Sequence, residues 1–279
     1  MTGAVTADPA ADTTARSRGD RRRPVPAWIL GLIGLAGLMA LAELIPRAGL
    51  VPRRFLPPFS DMMRALADEA RTGAFWQALG ETLRGWAIGL AIAMIAGVVL
   101  GLAIGSLPIV RSALTSTIEF LRPIPSVALI PLAVLLYGPT MRSTLLLVVY
   151  ASFWQMLLQV LYGVQDVDPV ARETARSYRF RALTQVRTVT WPTALPYVVT
   201  GFRLGAAVAL ILEITGELVI GSPGLGARIA VAQTSDAVPT MYALVIVVGV
   251  LGVIVNVVVR ALERRVLRWH PSVRREVIS

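Results

Sequence analysis

The chain has 279 residues, 55% of them hydrophobic, a mean hydropathy of +0.67 and a formal net charge of +10. It is too apolar for one soluble domain and reads as an all-α integral membrane protein. All 27 basic residues are Arg, Cys is absent and the one His is His270, which excludes a Walker A loop, a Schiff-base lysine, Cys/His zinc sites and a cysteine nucleophile. Any driving energy must come from a partner or an ion gradient. In so apolar a chain Arg is first an orientation signal, and nucleic acid is not an expected partner.

Residues 1–24 lack apolar periodicity and end in Arg21-Arg22-Arg23-Pro24, the pattern of a disordered basic tail kept on the cytoplasmic side. Six spans follow at 27–45, 83–105, 115–137, 142–164, 197–220 and 241–259, each near the length a bilayer needs. A secretory signal competes for the first, because Ala40-Leu41-Ala42 has the look of a cleavage site. The first span and an outer amphipathic helix capped by Ser60 make up 25–82; the core is 83–262, and 263–279 is a cytoplasmic tail. Trp28, Trp76 and Trp86 read as interface anchors.

The second span carries small residues at every fourth position, Gly85, Gly89, Ala93, Gly97, Gly101 and Gly105, a ridge for close helix contact. The third span contains Arg122-Pro123-Ile124-Pro125 and Pro131; its freed carbonyls are tolerable only beside other helices or a water-filled path. Glu119 and Arg122 are spaced as an ion pair, with contact between Arg122 and a solute anion as the alternative. On the fourth span Trp154, Gln155 and Gln159 either line a path or bond neighbouring helices.

The polar stretch 166–196 interrupts this apolar chain. Asp168-Pro169 is a helix start, and Ala171, Ala175, Tyr178 and Ala182 then form one narrow apolar stripe. Glu173 lies within reach of Arg176. A helix of this kind either lies on anionic lipid or docks closely against another protein. Glu213 and Glu217, a turn apart in the fifth span, face the bundle or a path. Their position favours a structural bond to Arg203, Arg228 or a freed carbonyl over a gate.

With both termini and the polar stretch inside, 18 Arg residues lie on the cytoplasmic side against 8 outside, which sets the orientation.

Glu173-Thr174-Ala175, Arg179 after three residues, and Val189-Thr190-Trp191-Pro192 after nine more resemble the E-A-A, G, I-x-L-P pattern of binding-protein-dependent ABC importer permeases. Arg179 stands where the pattern has Gly and Trp191 where it has Leu. Phe55-Leu56-Pro57-Pro58-Phe59-Ser60, Leu121-Arg122-Pro123-Ile124-Pro125, and Glu217 with Gly224-Leu225-Gly226 look like the nitrate, sulfonate and taurine branch. The resemblance implies a type I importer fold in a bacterial inner membrane, paired with a second permease copy, as a homodimer. An extracytoplasmic binding protein would deliver a small anion.

It further implies that Asp168, Pro169, Ala171, Glu173, Thr174, Ala175, Tyr178, Arg179, Val189 and Pro192 form the coupling loop for a separate ATPase subunit. That subunit would hold ATP and magnesium, so this chain needs no cofactor and is not itself an enzyme. Arg122, Pro125, Gln155, Gln159, Glu213 and Glu217 are the candidate path or gate residues. Membrane lipid is the remaining partner. Two other classes compete: an ion-coupled secondary transporter using Glu213 and Glu217, disfavoured by the lack of an inverted hydropathy repeat, and a membrane scaffold, disfavoured by the proline-broken span.

Overall fold

The computed structural model describes residues 27–268; the calls on the N-terminal tail and His270, like most of the C-terminal tail and the Trp28 side chain, lie outside what it describes. The described residues form helices joined by short connections: α1 (Ala27–Arg47), α2 (Phe59–Ala70), α3 (Gly73–Ser106), α4 (Pro108–Leu121), a 3-10 turn (Ser126–Leu129), α5 (Ile130–Tyr137), α6 (Met141–Gln165), α7 (Pro169–Ser177), α8 (Ala182–Gln185), a π turn (Val186–Thr190), α9 (Trp191–Ile220), α10 (Leu225–Thr234) and α11 (Val238–Val266). Among the described residues five helices are long and apolar enough to cross a membrane, and α4 with α5, taken as one broken span, brings the number to six.

The core is a three-helix slab with α6 between α3 and α9. The small-residue ridge of α3 is buried along its length and faces a row of α6 residues at the same period of four. A Cβ added at Gly89, Gly97, Gly101 or Gly105 would lie 2.5, 2.7, 2.7 or 2.9 Å from Val148, Met156, Val160 or Val164. Two i±4 rows therefore interdigitate. On the other side of α6 both helices supply glycines. Gly201 and Gly216 of α9 accept Gln159 and Thr144, and Gly163 of α6 lies against Ala194 and Tyr197.

Two expectations need correction, while the third span breaks at its prolines: α4 and α5 meet at a bend of 81°, because the prolines between them remove the donors a continuous helix needs. The second half of the 166–196 stretch is not a loop. Residues 182–220 run as 39 helical residues, and the π turn just before Pro192 widens the backbone where the prolines lack an N–H. Finally, α2 is capped by Pro58 without a side-chain bond. Ser60 instead ties α2 to α1, its N–H and Oγ donating to Glu43 at 2.8 and 2.9 Å.

Two of the anchoring tryptophans differ from one another. Trp76 is exposed and donates to Ala70 O at 2.8 Å, whereas Trp86 is an interhelical bond, donating to Ala206 O of α9 at 2.9 Å.

Candidate functional site

At one end of the slab, α7 and the turn after it project from the bundle. Asp168 caps α7 by accepting the Val170 N–H at 2.8 Å. Arg172 reaches back to donate to Val164 O at 3.1 Å, and Tyr197 donates to Asp166 at 3.0 Å. A basic side chain on the last carbonyls of α6 satisfies acceptors the helix leaves open. The helix ends in a Schellman motif: Arg179 N–H donates to Arg176 O at 2.8 Å and Phe180 N–H to Ala175 O at 3.0 Å. Arg179 occupies the left-handed position of that motif, with φ 53°. This is the geometry a Gly would take without strain, held here by an Arg.

The apolar stripe is thereby broken. Ala171, Ala175, Tyr178 and Ala182 do not share one helix, since α7 ends at Ser177. Ala175 is 3% exposed, facing the body of the protein with Arg172, whereas Tyr178, Val170 and Leu183 are 75%, 68% and 80% exposed. Phe180 is exposed beside them, as are Glu173, Thr174 and Arg176; Val189 is half-buried and Pro192 exposed. Glu173 forms no ion pair with Arg176 among the described residues. Sequence reasoning missed Val170, Phe180 and Leu183, whose apolar character is diluted by Arg neighbours.

At the opposite end, Glu213 and Glu217 are buried, but not against Arg203 or Arg228. Arg203 pairs with Glu263 at 3.3 Å, and Arg228 pairs with Glu69. Glu217 Oε2 accepts the Gly226 N–H at 2.8 Å and the Thr82 hydroxyl at 3.0 Å, and Thr82 Oγ1 accepts the Leu225 N–H at 2.9 Å. Gly224 fits over the same carboxyl, where any Cβ would overlap it. The cluster ties α3, α9 and the start of α10 together around the 221–224 turn, and Thr144 bonds Ser222 at 2.6 Å beside it. Glu213 sits against Gly85, where a Cβ would again overlap the carboxyl. The partners of Glu217 are thus a backbone N–H and a hydroxyl, not the arginines or freed carbonyl expected for it. Thr82 was missed, because no local signal marks a partner so far away in sequence.

Glu119 and Arg122 do not pair among the described residues. Both line a cavity of about 750 Å³ between α4 and α6. Pro125 precedes the 3-10 turn at the α4–α5 break. Trp154 is not a lining residue; it packs with Ile104, Leu157 and Leu161 and meets Tyr150 and Phe153 edge-on. Gln155 and Gln159 are half-buried, and the stem of Gln159 fills the space over Gly201. Among the described residues no group of three His, Asp or Glu is placed to hold a metal.

The arrangement offers binding surfaces rather than reacting groups, and comparison with known proteins agrees. The chain is 31% identical to the taurine transport system permease protein TauC of Escherichia coli K12 over 78% of its length and 82% of that protein. It is 29% identical to the putative aliphatic sulfonates transport permease protein SsuC of Bacillus subtilis 168, over 67% of each chain. It is 26% identical to the nitrate import permease protein NrtB of Leptolyngbya laminosa, over 70% of each. Its fold is like that of a chain of the inward-facing MetNI methionine ABC transporter, with a TM-score of 0.59 at 16% identity, covering 69% of this chain and 96% of that one. A chain of an amino acid ABC transporter gives 0.56 at 22% identity, covering 72% and 97%. Residues 89–268 match the family described as binding-protein-dependent transport system inner membrane component, and the chain, a multi-pass membrane component of ABC importers, belongs to that family.

Proposed function

We propose that this chain forms the translocation path of an importer for a small oxyanion, a sulfonate, taurine or nitrate, with α7 and the turn after it as the docking element for a separate ATPase subunit. Two copies pair as a homodimer in a bacterial inner membrane, with both termini cytoplasmic, and an extracytoplasmic binding protein delivers the solute. One observation carries the reading: Val170, Tyr178, Phe180 and Leu183 are exposed apolar side chains on a segment braced by Asp168, Arg172 and the Schellman turn. Apolar side chains grouped in a polar, basic segment mark a protein contact better than a lipid-facing one. Rigid bracing lets a docked partner move the bundle rather than merely bend a loop. The buried Ala175 belongs to the brace.

The test is co-purification of the ATPase subunit and ATP-driven solute uptake in proteoliposomes, comparing the native chain with Tyr178→Glu and Leu183→Glu. Both side chains are largely exposed, so folding should be retained while retention of the ATPase falls at least about tenfold, as for a hot-spot loss. Full ATPase retention by both variants would overturn the docking assignment.

A further inference from the structure

The cavity between α4 and α6 has a charge pattern that the docking segment and the Glu217 cluster do not use. Along α4, Arg111, Thr115, Glu119 and Arg122 fall on one face at i, i+4, i+8 and i+11, and Tyr162 and Gln165 face them from α6. Gly105 lies against Val164, so the ends of α3 and α6, and with them Arg111, share the end of the slab that carries α7. Arg122 is eleven residues further along, or about 16 Å at the helical rise. An ionisable group within a broken membrane span faces protein or water, and Arg122 sits at the α4–α5 break, where a discontinuous helix leaves room for a ligand.

The usual tasks of an Arg at such a place are already performed by other groups. The Leu121 carbonyl at the end of α4 accepts the Tyr150 hydroxyl at 2.7 Å and the Ile124 N–H at 3.2 Å. Among the described residues neither Arg111 nor Arg122 forms an ion pair. With Glu119 as the acid on the same wall, the lining keeps one net positive charge.

We propose that this cavity is an oxyanion-binding vestibule, with Arg122 at the α4–α5 break holding the anion through its forked donors and Arg111, at the end of the slab that carries α7, drawing the anion along. A guanidinium suits the planar or trigonal oxygens of nitrate, sulfonate or a phosphate ester. Glu119, between the two, opposes a second anion on the same wall. The assignment of the solute as the oxyanion rests on the importer reading above.

The experiment uses the permease–ATPase complex in nanodiscs, without nucleotide, and measures binding of radiolabelled taurine and its displacement by methanesulfonate, nitrate and bicarbonate. Saturable binding of at least one is expected. Arg122→Gln should weaken it at least about tenfold while Arg122→Lys stays within about threefold, and Arg84→Gln, on α3 outside the cavity, should leave it unchanged. Discs of phosphatidylcholine against phosphatidylglycerol separate the sources: Arg122-dependent retention of phosphatidylglycerol would identify a lipid phosphate as the oxyanion. Thermal unfolding separates a merely structural Arg122, which would lower the midpoint and spare affinity. Native affinity in a folded Arg122→Gln complex overturns the proposal, as does absence of any binding to the native complex up to about 10 mM. If that complex still retains its ATPase through Tyr178, the vestibule alone falls and the importer reading stands.

Discussion

Replacing Thr82 by Val keeps the shape of the side chain and removes the hydroxyl that stands at the centre of the Glu217 cluster. Two bonds between elements go with it, the 3.0 Å donation to Glu217 Oε2 and the 2.9 Å acceptance from the Leu225 N–H, besides a 3.1 Å approach to Ala78 O within α3. Glu217 keeps the Gly226 N–H at 2.8 Å, so its carboxyl is still partnered. Leu225 is fully buried, and its N–H is left with no acceptor. A lost bond contributes about 0.5–1.5 kcal/mol and an orphaned buried donor about 1–3 kcal/mol, giving a destabilisation of about 2–4 kcal/mol. Thermal unfolding in detergent reads the total, and protease cleavage at the 221–224 turn should rise with it as the turn is released. A double-mutant cycle with Glu217→Gln isolates the pair, with a coupling above about 0.5 kcal/mol expected for groups in one network. Additive effects, or an unchanged turn in Thr82→Val, would refute the claim that this hydroxyl fastens α3 to the start of α10.

Arg179→Gly should stabilise by about 0.5 kcal/mol, since relief of about 1–2 kcal/mol of left-handed strain exceeds the added backbone entropy of Gly, about 0.5–1 kcal/mol; a raised unfolding midpoint checks it, and Arg179→Val should move it the other way. Gly101→Leu should destabilise by about 1–3 kcal/mol, because a Cβ there already meets Val160 at 2.7 Å. Gly34→Leu on α1, where nothing lies within 4 Å, should change the same midpoint by less than about 0.5 kcal/mol. Asp168→Ala removes the cap of α7 and should cost about 1 kcal/mol locally, read as faster hydrogen exchange in 169–177 with the rest of the chain unchanged.

The packing of α3 was legible because it rests on a period of four that needs no partner to be seen. Its complement on α6 was not, since Val148, Met156, Val160 and Val164 are ordinary apolar residues until the ridge is set against them. The docking segment shows the opposite limit. Its motif located the segment that holds α7, yet the face was misread, because extending helical periodicity past Ser177 ignores a left-handed residue. An Arg gives no sign of positive φ, as a Gly would. The prolines told where backbone donors were missing but not how the chain would respond. It bends by 81° after α4 and merely widens into a π turn before Pro192. The carboxylates were legible as buried, and their partners were not, because Thr82 and Glu217 are 135 residues apart in sequence.

The helical run 182–220 bears on how a force applied at α7 would travel. Its 39 residues span about 55 Å at the helical rise, from the exposed Leu183 beside the docking turn to Glu217 at the opposite end. Along that length it lies close to α6 at Gly163, Gly201, Gly205 and Gly216. Side chains in such contact cannot slide by fractions of an ångström without overlap, so α6 and α9 move as one body or exchange one packing for another. The docking segment is fastened to both members, to α6 through Arg172 and Val164 and to α9 through the Asp166–Tyr197 bond. A displacement of α7 therefore loads the pair together, and the load is taken up where the pair is joined to something else. At the far end that joint is the Thr82, Glu217, Leu225 and Gly226 cluster, which ties the pair to α3 and α10. Weakening it with Thr82→Val should loosen the 221–224 turn while the ATPase docking proposed for Tyr178 is unaffected, so a variant that hydrolyses ATP but couples it poorly to uptake is the expected outcome, and uptake that keeps pace with hydrolysis in this variant would count against the coupling route.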